Sequence, residues 1–257
     1  MRQVSFDHWP YPRWVAHRGA GKLAPENTLA AFRLGASHGY RMFECDAKLS
    51  RDECVFLLHD DTLQRTTNAP APQNGASPGL AGDWLWDALA RLDAGAWHSR
   101  QYAGESLPTL ANLARYCRAN NLLLNIEIKP TPGLEARTGT VVAQAAEALW
   151  HGADIPPLLT SFQPQSLAAA QRAAPTLPRG LLLDSLWDGW FDTARQLDCV
   201  AMVCKHTLWD AALVQQVHGS RMRCLSYTVN TPDAAQRLLD LGTDAIITDA
   251  VDQFAPA

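Results

Sequence analysis

Positive charge is not concentrated anywhere in this 257-residue sequence. Lysine and arginine number 22 against 26 aspartate and glutamate residues, the formal net charge is -4 and the pI is near 6.0. No run of lysine and arginine occurs. A nucleic-acid-binding domain normally carries a basic patch or stripe. The charge pattern therefore argues against a nucleic-acid partner.

Long apolar segments and paired cysteine motifs are also absent. Residues 1–8 contain no apolar segment of the kind that a secretory signal needs. No later stretch approaches the run of about 18 apolar residues expected of a membrane span. The six cysteines are scattered and form no CxxC pair, which favours buried thiols over disulfides or zinc ligands. We therefore expect a cytoplasmic protein without stable membrane association.

Short apolar runs alternate with amphipathic, helix-like stretches along most of the chain. Such alternation is typical of a parallel sheet, and a closed eight-stranded barrel takes about 250 residues. We predict an α/β fold, a (β/α)8 TIM barrel in which residues 1–257 form one domain. An open doubly wound sheet is the alternative, although no glycine-rich dinucleotide fingerprint follows the first run. The predicted strands are 14–17, 42–46, 122–129, 158–162, 180–184, 200–204, 224–229 and 245–249, and the predicted helices include 29–38, capped by Asn27 or Thr28, 109–120, 138–150, 164–173, 208–218 and 232–241.

The second strand is the exception to this alternation. The connection 47–54 leads to another strand-like run at 55–59 and is too short for a crossover helix. We predict a hairpin that turns near Arg51 and Asp52 and returns His59 to the end of the second strand. Residues from about 60 to 108 then form a small insertion over the barrel mouth, as a lid or a specificity wall, with exposed tryptophans at Trp84, Trp86 and Trp97.

Several charged residues fall at the carboxyl ends of the first three predicted barrel strands, where barrel enzymes have their active sites. Three carboxylates there suit a hard divalent cation, Mg2+ or Ca2+. Histidines suit general acid and base roles, and an arginine and a lysine suit phosphate oxygens. The residues are His17 and Arg18, Glu44 and Asp46, Glu127 and Lys129, and His59 from the hairpin.

Each of these residues alone also has a structural explanation. His17 can be a hydrogen-bonded residue at a strand end, and Glu127 with Lys129 can be an internal ion pair. Glu44 and Asp46 can be solvated positions on a half-exposed strand. Their occurrence together at one predicted end of the barrel favours a functional site for a phosphodiester.

Ordered motifs from Trp14 to about Asp249 resemble the glycerophosphodiester phosphodiesterase family, most closely its short bacterial cytosolic members. The spacing of the motifs makes the resemblance specific. The motifs are His17-Arg18-Gly19, Pro25-Glu26-Asn27-Thr28, Glu44-Cys45-Asp46, His59-Asp60, Leu63-Gln64-Arg65-Thr66-Thr67, Leu107-Pro108-Thr109-Leu110, Ile126-Glu127-Ile128-Lys129, Ser161-Phe162, Tyr227-Thr228-Val229-Asn230 and Ile247-Thr248-Asp249.

The resemblance implies metal-dependent hydrolysis of a glycerophosphodiester to sn-glycerol 3-phosphate and an alcohol. It implies Mg2+ or Ca2+ at Glu44, Asp46 and Glu127, with catalysis by His17 and His59. Further candidates for the substrate pocket are Glu26, Asn27, Phe162 and Tyr227. Tyr227 stands where many relatives carry tryptophan, so the wall of the pocket is expected to differ there.

Three other functions remain as alternatives. A related barrel phosphodiesterase acting on intact lipids, of the phospholipase or sphingomyelinase-D type, would need access to a membrane. A catalytically silent barrel would be expected to have lost a histidine or a carboxylate of the set. A zinc hydrolase would want closely spaced histidines, and the eight histidines show no HxH or HExxH pattern.

Overall fold

A closed barrel of eight parallel strands forms the centre of the computed structural model, which describes residues 4–71 and 79–256. The strands are hydrogen-bonded in the order β1-β9-β8-β7-β6-β5-β4-β2, and a β1–β2 pairing closes the ring. The (β/α)8 prediction is confirmed. The strands are β1 (Trp14–Ala16), β2 (Met42–Leu49), β4 (Leu123–Ile128), β5 (Leu158–Ser161), β6 (Arg179–Leu183), β7 (Ala201–Lys205), β8 (Arg223–Tyr227) and β9 (Ala245–Thr248), and the antiparallel hairpin strand is β3 (Val55–Leu57).

The helices surround this barrel, and local sequence explains where most of them begin. Thr28, Thr109, Asp210 and Thr231 each accept a backbone N–H in the first turn of the helix that follows. Pro164 and Pro232 are first helical residues, where proline is favoured. The helices are α1 (Leu29–Ser37), α2 (Trp86–Leu89), α3 (Leu110–Ala119), α4 (Glu135–Leu149), α5 (Pro164–Ala173), α6 (Trp190–Gln196), α7 (Ala211–Gly219) and α8 (Pro232–Asp240), with short 3-10 turns at Ala81–Asp83, Arg100–Tyr102 and His206–Leu208.

The hairpin lies where the sequence predicts it. β3 pairs antiparallel with the end of β2, with Ala47 opposite Leu57 and Leu49 opposite Val55. The Leu58 amide then donates to the Asp46 carbonyl at 3.0 Å, so His59 follows directly beside the end of β2. An antiparallel return needs only a tight turn, whereas a parallel neighbour needs a crossover.

The segment between β3 and α3 packs around an apolar cluster of its own. Two of the three tryptophans expected to be exposed, Trp84 and Trp86, are half-buried against this cluster, so that expectation is wrong for them; Trp97 is 40 % exposed. Residues 72–78 of the predicted insertion lie outside the described residues. The buried members of the cluster are Phe56, Leu58, Leu63, Ala69, Ala81, Leu89, Ala94 and Leu107.

Alternation along the barrel strands separates an inner core from an outer one. Val15 of β1 packs in a cluster with Met42, Leu225 and Ile247, whereas the next residue, Ala16, packs in the cluster formed with the helices. Successive strand residues point to opposite faces of a sheet. The same alternation turns every second residue at the end of β2 and β4 towards the barrel axis.

Element boundaries differ from the predictions by at most three residues, and α5 (Pro164–Ala173) has the predicted ones. α4 begins at Glu135 rather than at 138, and α7 begins at Ala211 because Asp210 caps it and a 3-10 turn occupies 206–208. α6 was not among the helices predicted by name. No helix in residues 4–71 and 79–256 has both the length and the apolar character needed to cross a bilayer.

Candidate active site

A cavity of about 150 Å³ opens at the carboxyl end of the barrel. Polar side chains line one part of it, and apolar and aromatic side chains line the other. The lining residues are His17, Arg18, Glu44, His59, Asn125, Glu127, Phe162, Leu182, Tyr227, Thr228 and Ile247. Seven of the eleven residues predicted for the site therefore share one cavity, and the other four contact members of the predicted set. These four are Asp46, Lys129, Glu26 and Asn27.

Three buried carboxylates form the floor of the site. The register of β2 and β4 sets Asp46 opposite Glu127, and Glu44 lies two residues earlier on the same face. One oxygen from each carboxylate lies within 4.8 Å of the others. Glu44 Oε1, Asp46 Oδ1 and Glu127 Oε1 are buried and accept no hydrogen bond from the described part of the chain. Such oxygens are costly to bury unless something else binds them.

The pKa values of these three carboxylates are shifted in different directions. Burial and the charge of Asp46 raise the pKa of Glu44 well above its usual range, and the same causes raise the pKa of Glu127 to about 7. Burial also raises the pKa of Asp46, but Arg18, His59 and Lys129 outweigh it and bring the value to about 2. Without a cation, therefore, this group of carboxylates retains protons that a single exposed carboxylate would have lost.

The donor set fits a hard divalent cation. One buried oxygen of each carboxylate accepts no hydrogen bond in the described residues, and Mg2+ and Ca2+ both prefer carboxylate oxygen ligands. Asn27 holds one of these carboxylates with two hydrogen bonds: its Nδ2 donates to Asp46 Oδ2 at 2.8 Å, and the Asp46 amide donates to Asn27 Oδ1 at 3.1 Å. Asn27 thus holds Asp46 in place, while Thr28 next to it caps α1.

His17 is fixed between two carboxylates. Its Nδ1 lies 2.6 Å from Asp249 Oδ1, and its Nε2 lies 3.7 Å from Glu44 Oε2. Asp249 is itself held by Asn230, whose Nδ2 donates to Oδ2 at 2.9 Å. A carboxylate on Nδ1 leaves Nε2 as the nitrogen that faces the cavity.

Gly21 lets the loop after His17 approach the backbone of Asp249 closely. Its φ is +55°, and a Cβ added to it would stand 2.1 Å from the carbonyl oxygen of Asp249. No other residue allows this approach of two backbones. The motif His17-Arg18-Gly19-Ala20-Gly21 therefore needs glycine at position 21 to bring the two ends of the chain together.

His59 has a carboxylate partner of its own. Its Nδ1 lies 2.8 Å from Asp60 Oδ1, and its Nε2 lies 3.2 Å from Lys129 Nζ. Lys129 Nζ also lies 3.3 Å from Glu127 Oε1, as an ion pair outside hydrogen-bonding angles. Burial lowers the pKa of His59, and the charges of Arg18 and Lys129 lower it further against the opposing effect of Asp46.

Arg18 reaches across the site from the end of β1. Its backbone N–H donates to Glu44 Oε2 at 3.1 Å, and its Nε lies 3.2 Å from Asp46 Oδ2. Its Nη1 donates to Glu26 Oε1 at 2.9 Å. Arg18 and Asn27 both have left-handed backbone, with φ of 50° and 59°. Such conformations are uncommon outside glycine and cluster at functional sites.

Phe162 and Tyr227 form the aromatic part of the wall. Their rings meet edge to face with centroids 5.7 Å apart, and the Tyr227 hydroxyl donates to the Leu183 carbonyl at 3.0 Å. With that hydroxyl engaged, Tyr227 presents ring surface to the cavity. Lys205 and His206, which also end a strand, do not line it.

Several residues at the site carry roles that sequence reasoning did not assign. Asp249, Asp60 and Arg65 lie within the motifs quoted above, and Asp249 directly follows the last strand, which is a signal that could have found it. Lys48 is fully buried at the end of β2, with Nζ 2.8 Å from Asp61 Oδ1. Lys48 lies two residues after Asp46, so the alternation along β2 turns it to the same face, and this period of two could have found it.

The family model described as the glycerophosphoryl diester phosphodiesterase family matches residues 17–253. The chain belongs to this family. As a family member it is an enzyme of the glycerophosphodiester phosphodiesterase type, as the sequence motifs predict.

Three relatives illustrate the similarity of this family member to known proteins. YhdW of Bacillus subtilis (strain 168) is 30 % identical over 248 residues, which cover 93 % of this chain and 94 % of that protein. The glycerophosphodiester phosphodiesterase of Caldanaerobacter subterraneus subsp. tengcongensis is 29 % identical over 243 residues, covering 91 % and 93 %. A solved structure of an Oleispira antarctica phosphodiesterase in complex with the product sn-glycerol-3-phosphate has a TM-score of 0.84 and 30 % identity, covering 94 % of each chain.

Proposed function

We propose that this phosphodiesterase hydrolyses glycerophosphodiesters to sn-glycerol 3-phosphate and an alcohol, with a divalent cation, Mg2+ or Ca2+, and with His17 and His59 as general base and general acid. The observation that carries this proposal is the pairing of two histidines, each with its own aspartate, around three carboxylates. In the described residues, one buried oxygen of each of these carboxylates accepts no hydrogen bond. The product in the Oleispira antarctica structure supports the choice of substrate.

Glu44, Asp46 and Glu127 would hold the cation. When bound, it supplies Lewis-acid stabilisation of the charge on the phosphoryl oxygens. Arg18 and Lys129 add positive charge on either side of the carboxylates and would bind the non-bridging phosphate oxygens. Glu26 holds the Arg18 guanidinium in position for this task.

The two histidines would move the protons. His17 Nε2, with Asp249 on Nδ1, accepts a proton from the nucleophile, which is either water or the neighbouring glycerol hydroxyl. His59 Nε2 donates a proton to the departing alkoxide as the P–O bond breaks. The lowered pKa of His59 does not favour this acid role, but an anionic phosphate beside the ring would raise that pKa again. Attack by the hydroxyl would give a cyclic phosphate first, which phosphorus NMR on a rapidly quenched reaction would detect.

The rest of the proposal concerns the pocket and the protein as a whole. Phe162 and Tyr227 would contact the glycerol or its alcohol. Residues 1–257 would act as one domain, with 60–108 as an insertion beside the site, and a single thermal transition seen by both circular dichroism and tryptophan fluorescence would support this. A cytoplasmic location is consistent with the six cysteines, all of which are free thiols.

The test is release of glycerol 3-phosphate from glycerophosphocholine by the wild type, His59→Ala and His151→Ala, each with Mg2+, Ca2+ or EDTA. His151 is exposed after α4 and serves as the matched control. We expect cation-dependent release that falls at least about 100-fold in His59→Ala and is unchanged in His151→Ala. No release from several head-group diesters by the folded, cation-supplied wild type would contradict the proposal.

The same proteins distinguish the alternatives. Hydrolysis of lysophospholipid or sphingomyelin in vesicles, together with sedimentation on them, would favour a lipid phosphodiesterase. Binding of glycerol 3-phosphate without turnover of any diester would favour a silent barrel. We expect neither result, because every residue of the predicted catalytic set is present and in contact with another member of the site.

A further inference from the structure

Arg65 joins two parts of the chain at the edge of the active site. Its Nε and Nη2 donate to Asp60 Oδ2 and Oδ1 at 2.6 and 2.8 Å, and its Nη1 and Nη2 donate to Glu26 Oε2 and Oε1 at 2.8 and 2.7 Å. One guanidinium thus makes four hydrogen bonds to two carboxylates. Glu26 belongs to the loop after β1, and Asp60 follows β3.

Each of these carboxylates has its second contact on a residue that lines the cavity. Asp60 Oδ1 bonds His59 Nδ1 at 2.8 Å, and Glu26 Oε1 accepts from Arg18 at 2.9 Å. Arg65 itself does not line the cavity, and its side chain is 45 % exposed. It is therefore one contact removed from both His59 and Arg18.

We infer that Arg65 is a positioning residue for His59: anchored on Glu26, it fixes the Asp60 carboxylate so that the histidine presents Nε2 to the leaving alcohol. This inference rests on the proposed function, in which His59 is the general acid. Of the two carboxylates that Arg65 contacts, Glu26 is the more firmly held, because its side chain is only 13 % exposed and it is also paired with Arg18.

The planar fork of arginine explains why this residue type is needed. Its N–H groups form two flat faces of donors, so it can hold two carboxylates at once in fixed orientations. Lysine carries the same charge but has no fork and cannot reproduce the four bonds. With neither arginine nor lysine at position 65, Asp60 keeps only His59 as a side-chain partner in the described residues. Nothing then fixes the plane of the Asp60 carboxylate.

An exposed arginine–carboxylate pair can also be a surface ion pair of small value. The two explanations differ in one respect. A surface pair affects all substrates alike, through stability, whereas a positioning residue for the general acid matters only where the leaving group needs a proton. An alkoxide such as that of choline needs one, and p-nitrophenolate, a stable anion near neutral pH, leaves without one.

The experiment compares kcat on glycerophosphocholine and on the p-nitrophenyl diester of glycerol 3-phosphate. The variants are Arg65→Gln, Arg65→Lys and, as a reference for loss of the acid, His59→Gln. Arg137→Gln is the matched control, because Arg137 donates twice to Glu53 at 2.6 and 2.5 Å and is 53 % exposed, but it lies away from the cavity. Melting temperatures are recorded for all of them.

We expect both Arg65 variants to lose about 10- to 100-fold in kcat on glycerophosphocholine and less than about threefold on the p-nitrophenyl diester. His59→Gln should show the same selectivity with a larger loss, and Arg137→Gln should lose nothing on either substrate. Arg65→Lys keeps the positive charge and removes the planar guanidinium, so it tests the geometry of the four hydrogen bonds. It also remains informative if Arg65→Gln does not fold.

Equal losses on the two substrates, or no loss on either, would overturn the inference. Failure of the proposed function would appear differently, as a wild type that releases glycerol 3-phosphate from neither diester. A third outcome is an active wild type with Arg65 variants whose kcat falls only as far as their melting temperatures fall. That outcome would leave the proposed function intact and refute only the positioning role.

Discussion

Asp249 and Asp60 hold two different histidines in the same way, each with a carboxylate oxygen on Nδ1. Asp60 is the sequence neighbour of its histidine, whereas Asp249 approaches from the other end of the chain. Both leave Nε2 directed at the site. At the scale of single residues, the proposed chemistry would depend on these aspartates as much as on the histidines that they orient.

The sequence could identify the residues that end strands, since position in a strand decides which way a side chain points. Glu44, Asp46 and Glu127 were predicted for this reason. The same reasoning extends to Asp249, which ends the last strand. It does not extend to Arg65 or Asp60, because both lie in a segment without periodicity, where only tertiary contacts decide what a side chain touches.

Replacement of Asp249 by asparagine tests the His17 pair. The amide side chain of Asp249→Asn would keep the shape of the carboxylate but lose the charge that favours a protonated imidazole. We therefore expect kcat on glycerophosphocholine to fall by about 100-fold or more, with little change in melting temperature. Steady-state kinetics and thermal denaturation measure both.

Asp244→Asn is the matched control for Asp249→Asn. Asp244 pairs with His218 Nε2 at 2.8 Å and also accepts from Arg223, but it precedes β9 at the opposite end of the barrel. We expect this variant to lose stability and to keep its kcat. A large loss of kcat in Asp244→Asn, or none in Asp249→Asn, would contradict the role given to Asp249.

At the scale of elements, the hairpin of β2 and β3 and the segment after it determine where His59 lies. The hairpin was predictable, because a connection of that length permits only an antiparallel return. The path of the following segment was not. Leu63, fully buried among Phe56, Leu58 and Leu89, packs that segment onto the hairpin. The sequence of the segment has no periodic pattern that would predict which of its leucines is buried.

Leu63→Ala should therefore affect both stability and activity. We expect a loss of about 2 to 5 kcal/mol in the free energy of unfolding, and a fall in kcat, because Leu63 lies between Asp60 and Arg65 in the chain. Leu238→Ala in α8, also fully buried, should cost a similar free energy without lowering kcat under conditions where both variants are folded. Denaturant unfolding and initial rates provide the two measurements, and equal effects on kcat would argue against a role for the packing of this segment.

At the scale of the whole molecule, the alternation of strands and helices predicts the barrel, and the strand ends predict the carboxylates at its mouth. The size of the pKa shifts that burial causes there depends on the folded structure. The pKa of Glu127, raised to about 7, means that the folded cation-free protein binds more protons than the unfolded chain between about pH 4.5 and 7. This contribution to stability is fully present below pH 4.5 and is lost as the pH rises through 7. His59, with a lowered pKa, works in the opposite sense.

We therefore expect the melting temperature of EDTA-treated wild type, minus that of Glu127→Gln, to fall as the pH rises from about 5 to about 8. Cation binding needs the carboxylates ionised, so added Mg2+ or Ca2+ should raise the wild-type melting temperature more at the upper end of this range than at the lower end. Differential scanning fluorimetry across the range measures both effects. A difference that is flat or rises with pH would show that Glu127 is already ionised at the lower end.

The hydrogen bond between His17 and Asp249 spans 232 positions of the chain. During synthesis the histidine leaves the ribosome first, and β9, which pairs with β1 and precedes the aspartate, emerges last. A nascent chain can therefore carry Glu44, Asp46, Glu127 and both histidines before Asp249 is available to His17. If His17 is the general base that we propose, the enzyme would stay inactive during translation until the barrel closes.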